Sequence, residues 1–131
     1  MSGTVVFIDS RLADYQALAS GVAAGAQVII LDGGKDGLAQ IRSHLDGRSG
    51  IDAIHVISHG SAGTLYLGTT VLDAASLGSY AEDLRVIGGS LTGSGDMLFY
   101  ACNLAAGDAG LSFVGRLADL TGADVSLRRR T

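Results

Sequence analysis

Two places in the chain set a reactive side chain directly after an apolar run. "HVISHGSAG" (55–63) passes from β-branched residues to His59 and Gly60, and "DMLFYACNLAAGD" (96–108) passes through Tyr100 and Ala101 to Cys102, the single cysteine of the 131 residues. A histidine beside a cysteine takes the thiol proton and leaves a thiolate, the form that attacks a carbonyl. The glycine after the histidine adds a backbone amide with no Cβ to hold a substrate away. The amides of Gly60 and Cys102 are therefore candidates for an oxyanion hole. Cys102 also precedes a predicted helix, whose dipole and open N–H groups favour negative charge on sulfur. The expected chemistry is acyl transfer, with His59 as general base and acid and Cys102 as nucleophile. The competing reading is plain: a lone cysteine in apolar surroundings is by default core filling, and a histidine at a loop start often only caps a turn.

What lifts the pair above that reading is the set of elements that must carry it. "TVVFID" (4–9), "AQVIILD" (26–32), "IDAIHVIS" (51–58) and "DMLFYA" (96–101) are short, almost wholly apolar runs, and "ADVSL" (123–127) is a fifth candidate. Such runs are strands covered on both faces. Helical spacing fills the gaps between them. Ser10 is a candidate N-cap for a helix carrying Leu12, Tyr15, Leu18 and Val22, and residues 35–45 place Leu38, Ile41 and Leu45 on one face. Asp73 is expected to cap a third helix with Leu77, Tyr80, Leu84 and Ile87. Asp108 is expected to open a fourth with Leu111, Val114 and Leu117. "GTLYLGTTVLD" (63–73) alternates about a Gly68-Thr69 turn and predicts a hairpin that interrupts the βα rhythm. A Gly/Ser loop is expected to lead into residues 96–101. The prediction is one α/β domain over residues 1–131: a three-layer αβα sandwich with a mainly parallel sheet. In such sheets ligands bind beyond the carboxyl ends of the strands, where His59 and Cys102 both fall. If the strands ending at these residues are neighbours, about 5 Å apart, the two side chains meet.

The remaining polar residues on this edge are expected to play smaller parts. His55 lies inside its strand, four residues before His59 and so on the same face by strand alternation, and is expected to be a satisfied interior or interface histidine; His44 is expected to be solvated on a helix. Asp9 and Asp32 end two strands and either line a pocket or cap the helices that follow, capping being favoured. "GGKDG" (33–37) lacks the Ser or Thr that follows the lysine of a phosphate loop, and no glycine fingerprint follows the first strand.

Composition narrows the partners. Apolar residues make up 47% and aromatics 5%, and 20 glycines with no proline put the turns on glycine. The formal charge is −4 and the one basic cluster is "RRR" (128–130), so nucleic acid is not an expected partner. No apolar run reaches the roughly 18 residues of a membrane span. One cysteine excludes an internal disulfide, and metal-ligand spacing is absent, so no metal or other cofactor is expected.

Longer stretches carry a resemblance. "FIDSRLADYQAL", "GRSGIDAIHVISHGSAGTLYLG", "TVLDAASL" and "LFYACNLAAGDAGLSFVGRLADLTGADV" closely resemble the domain of unknown function DUF4347 over nearly the whole chain. The strand-ending His59-Gly60 and Ala101-Cys102 pairs are similar to those of clan CD cysteine peptidases, the caspase, gingipain, legumain and separase group. The resemblance implies a caspase-like fold, with His59, Gly60 and Cys102 on the dyad and oxyanion positions. It also implies a peptide or protein substrate, the parent chain included, and a place in large bacterial secreted or surface proteins rich in adhesive repeats. The chain departs from the family pattern after "GADV", where "SLRRRT" stands in place of a further strand-and-loop segment, so the domain is expected to be cut short at its C-terminal end. Two other readings stay open beside the peptidase: a non-catalytic caspase-like module for assembly or display of a giant adhesin, and a small-molecule-binding α/β domain.

Overall fold

Five of the apolar runs line up as one parallel sheet, and the order in which they do so decides where every helix lies. The computed structural model describes residues 3–21, 25–101 and 107–128. In chain order the elements are β1 (Thr4–Asp9), α1 (Tyr15–Ser20), β2 (Gln27–Leu31), α2 (Gly37–Leu45), β3 (Ile51–Ile57), β4 (His59–Ser61), β5 (Thr64–Leu67) and β6 (Thr70–Leu72). After a 3₁₀ turn at Leu77–Tyr80 follow α3 (Ala81–Gly89), β7 (Leu91–Tyr100), α4 (Gly107–Thr121) and β8 (Asp124–Arg128). The main sheet runs β2-β1-β3-β7-β8, and β4-β5-β6 form a second, antiparallel sheet.

From β1 the chain steps to β2 on one side; every later step runs the other way, past β1 to β3, β7 and β8. Connections between parallel strands are right-handed, so reversing the direction of travel reverses the face on which the connection lies. α1 therefore sits on one face and α2, α3 and α4 on the other. The packing follows. Val5 and Phe7 of β1, with Ile54 and Val56 of β3 and Phe99 of β7, bury against Leu38 and Ile41 of α2, Leu84 and Ile87 of α3, and Phe113 and Leu117 of α4. The alternate residues Val6 and Ile8 face the α1 side, where Leu12 is, among the described residues, the one other fully buried apolar residue of a much smaller cluster. This is the expected three-layer α/β arrangement, with one layer far thinner than the other.

Several local expectations are corrected. The first helix begins at Tyr15, not after Ser10, because residues 10–14 form turns. Ser10 instead accepts a hydrogen bond from the Gly33 amide at 2.9 Å, tying the ends of β1 and β2 together. Val22 lies outside the described residues. Asp73 caps a short turn, accepting from the Ser76 amide at 2.9 Å, and does not reach α3. The Gly/Ser stretch before residue 96 is part of β7, with a register shift against β3 between Ile51 and Ala53. On α4 Asp108 lies within the first turn, and Phe113 and Leu117 are the buried stripe while Leu111 is 67% exposed. Two stripes one step apart on a helix both contain Leu117; the docking of α3 selects between them. α3 approaches so closely that a Cβ on Gly88 would lie 1.9 Å from the Thr121 carbonyl oxygen.

Candidate functional site

The site is built where strand order reverses. β2 and β3 flank β1 on opposite sides, so the connections leaving β1 and β3 diverge and leave a crevice at their carboxyl ends, the ligand-binding position of open α/β sheets. His59 and Gly60 leave β3 at this point. β3 pairs with β7 in parallel, His55 opposite Leu98 and Ile57 opposite Tyr100, so the predicted adjacency of the two strands holds. The pairing extends one residue further: the Ser58 amide donates to the Tyr100 carbonyl at 3.1 Å. Ala101, buried at 1% exposure, follows on the same edge. Cys102 is the next residue in sequence and lies outside the described residues, and with it lie the expected contact to His59 and the second oxyanion amide.

β3 does not simply run out at His59. The predicted hairpin is present as β5 and β6 around Gly68-Thr69, but a third strand, β4, joins it, pairing His59 with Tyr66, Gly60 with Leu65 and Ser61 with Thr64. His59, exposed, thus opens a second sheet, and the alternation that relates residues within β3 does not carry from His55 to His59. A two-residue turn closes β4 and β5 on the Ser61–Thr64 pair. Hydrogen-bonded and non-bonded pairs alternate from there, so the Gly60–Leu65 pair is non-bonded. The Gly60 N–H and C=O consequently point away from β5, toward the outer side of β4.

The β4-β5-β6 sheet is fastened to the main sheet by the Gly68-Thr69 turn. Asp9, 1% exposed at the end of β1, accepts from the Gly68 amide at 2.8 Å through Oδ2 and from the Arg11 amide at 2.9 Å through Oδ1. Arg11 Nη1 donates to the Gly68 carbonyl at 2.8 Å, and the Thr69 amide donates to the Lys35 carbonyl at 2.9 Å. Gly68 has φ +58°, and a Cβ there would lie 2.1 Å from the Lys35 carbonyl oxygen, so only glycine fits. Next to it, the Thr70 hydroxyl donates to Asp36, which caps α2 through the Ala39 amide at 3.0 Å. "GGKDG" is thus a docking loop for this turn.

These contacts leave a cavity of about 250 Å³ lined by Asp9, Arg11, His59 and Tyr66. Sequence reasoning named His59 and raised Asp9 only as one of two options; it passed over Arg11 and Tyr66. The signal for Arg11 was its place two residues beyond a strand on the functional edge. Tyr66 could be read only through its cross-strand pairing with His59. Asp32 does not cap α2 as expected, since Asp36 does so; it accepts from the Gly34 amide at 2.9 Å within the loop.

The other two histidines are elsewhere. His44 is exposed on α2, its ring 6.2 Å from that of Phe7. His55 faces the α1 side, stacks on Tyr100 with ring centroids 5.5 Å apart, and its Nδ1 is 3.2 Å from the Tyr100 hydroxyl. Burial lowers its pKa from 6.5. It lines a separate cavity of about 700 Å³ between α1 and the sheet. Among the described residues no group of three His, Cys, Asp or Glu side chains is placed to hold a metal ion.

An α/β sheet with its crevice at a strand-order reversal defines the class. The profile of the domain of unknown function DUF4347 matches residues 5–129, and the chain belongs to that family. No curated protein sequence matches it.

Proposed function

We propose that this domain is a cysteine endopeptidase or self-processing module of caspase-like type, carried by a large bacterial secreted or surface protein and acting on a peptide segment, its own parent chain included. His59 removes the Cys102 thiol proton, and the thiolate adds to the scissile carbonyl. The amides of Gly60 and Cys102 hold the oxyanion. As the C–N bond breaks, the leaving amine takes the proton from His59 and the acyl group stays on sulfur; a water molecule deprotonated by His59 then releases it as the carboxylic acid.

The observation that supports this reading is the placement of His59-Gly60 at the switch point, with the Ser58 amide bonded to Tyr100 two residues before Cys102. Iodoacetamide and an acyloxymethyl ketone peptide test it directly. Both should label Cys102, and His59→Ala should slow iodoacetamide labelling at neutral pH by at least about tenfold, since thiolate is the reacting form. Labelling no faster than a model thiol and unchanged in His59→Ala would return Cys102 to the core and favour the non-catalytic module.

A further inference from the structure

We propose that β2 is a self-association edge, through which two copies of this chain join their main sheets into one. β2 lies at the end of the sheet, and among the described residues no strand pairs with its outer side. The Ser10 amide donates to the Leu31 carbonyl at 3.1 Å, so Leu31, and by alternation Ile29 and Gln27, turn their N–H and C=O groups toward β1. Val28 and Ile30 turn theirs outward. At Asp32, the next outward position, the Gln40 side chain takes the place of a neighbouring strand: Oε1 accepts from the Asp32 amide at 2.8 Å and Nε2 donates to the Asp32 carbonyl at 3.0 Å. At the other end Gly25, with φ +94°, turns the chain before β2 begins. The open edge is therefore residues 27–31, bounded at both ends.

This edge carries none of the features that keep exposed edges apart. "QVIIL" has no charge and no proline, pairs with β1 in unbroken register, and leaves Ile30 41% exposed. β8, at the opposite end of the sheet, has Asp124 and Arg128 in the strand. The occupant that fits is a second β2. A two-fold axis at Ile29 sets the strands antiparallel with Val28 opposite Ile30 of the second copy, so both N–H···O bonds are exchanged at each such pair. Val28 and Ile30 lie on the α1 side of the sheet, since they pair with Val6 and Ile8, and the exposed Ile30 is covered by Val28 of the other copy. An extended peptide passing Ile30 meets Asp32, whose outward groups Gln40 already holds, whereas a second β2 begins at Gln27 and goes no further. Charge agrees with this occupant. Arg48, exposed, donates from Nη1 to Gln27 Oε1 at 3.0 Å at the start of β2, and the exposed Asp32 follows its end, so the axis brings opposite charges together at both ends of the pairing. The two crevices then open at opposite ends of the joined sheet.

Sedimentation of the 131-residue chain over a range of concentrations tests this, with backbone hydrogen exchange alongside. A short edge makes a weak interface, so the dimer should form with a dissociation constant of about 10–100 μM. The Val28 and Ile30 amides should become protected as the dimer fills, while those of Ile29 and Leu31 are protected in the monomer as well. Ile30→Lys sets a charge at the pairing site and should weaken the dimer at least about tenfold, its thermal melt showing that it is folded. Arg48→Glu should weaken it less, and adding Asp32→Arg to Arg48→Glu should restore it. A chain that stays monomeric to about 1 mM overturns the proposal. So does a dimer that Ile30→Lys leaves intact, or one whose formation leaves exchange at Val28 and Ile30 unchanged.

Discussion

The two faces of one sheet are covered very differently. On the face that carries Phe7, three helices and the β4-β5-β6 sheet close over a continuous core; on the face that carries Ile8, α1 contributes six residues, none of them fully buried. The strands are largely apolar on both sides, although His55 and Tyr100 lie on the Ile8 face, so their composition did not by itself set the difference. Strand order did: one connection runs toward β2 and all later ones run the other way, and a fixed handedness sends them to opposite faces. The lesson is that the densely packed face holds the switch-point crevice steady, because β5 and β6 bury Leu65, Leu67 and Leu72 in that same core. The thin face instead leaves a cavity beside His55.

Truncating the packed face should have the largest effect. Phe7→Ala removes a side chain at 0% exposure from between the sheet and the three helices on its packed face, and should cost about 3–5 kcal/mol in urea unfolding. A loss under about 1 kcal/mol would mean that this core collapses onto the gap and is not rigid. The matching change on the thin face is Ile57→Ala. Ile57 is half-buried, so the loss is a fraction of a full transfer term, about 1–2 kcal/mol. If the two variants unfold at the same midpoint, the faces are packed alike and the contrast fails.

The smallest effect concerns His55. Burial lowers its pKa below 6.5, so the folded protein takes up this proton at lower pH than the unfolded chain does. Above 6.5 both states are neutral and nothing is lost. As pH falls through 6.5 the unfolded chain is protonated first, and stability declines until the folded pKa is passed. Comparing unfolding free energy at about pH 7.5 and about pH 5, His55→Gln should show a shallower loss than the wild type. An identical loss in both would place the acid sensitivity elsewhere.

Much of the fold was readable in the residues because strands buried on both faces leave few alternatives. "TVVFID" and "IDAIHVIS" are largely apolar, and β1 and β3 fall within a residue of where those runs lie. The face of α2 was equally clear from the Leu38-Ile41-Leu45 spacing, whereas its Asp36 cap was not read. Residues with two consistent readings were not. Leu111 and Phe113 lie on overlapping helical stripes, and Ser10 and Asp73 are caps for turns as readily as for helices.

By itself the sequence determined the strands of the main sheet, most of the helices, the Gly68-Thr69 turn and the placing of His59 beyond a strand end, because each of these depends on residues near one another in the chain. Only the tertiary structure decided that Asp9, Arg11, His59 and Tyr66 share one cavity. Arg11 reaches Gly68 across 57 residues, and Tyr66 meets His59 only because β4 forms. No local pattern encodes such contacts. They follow from the order of strands in the sheet and from a glycine turn docking where no side chain would fit.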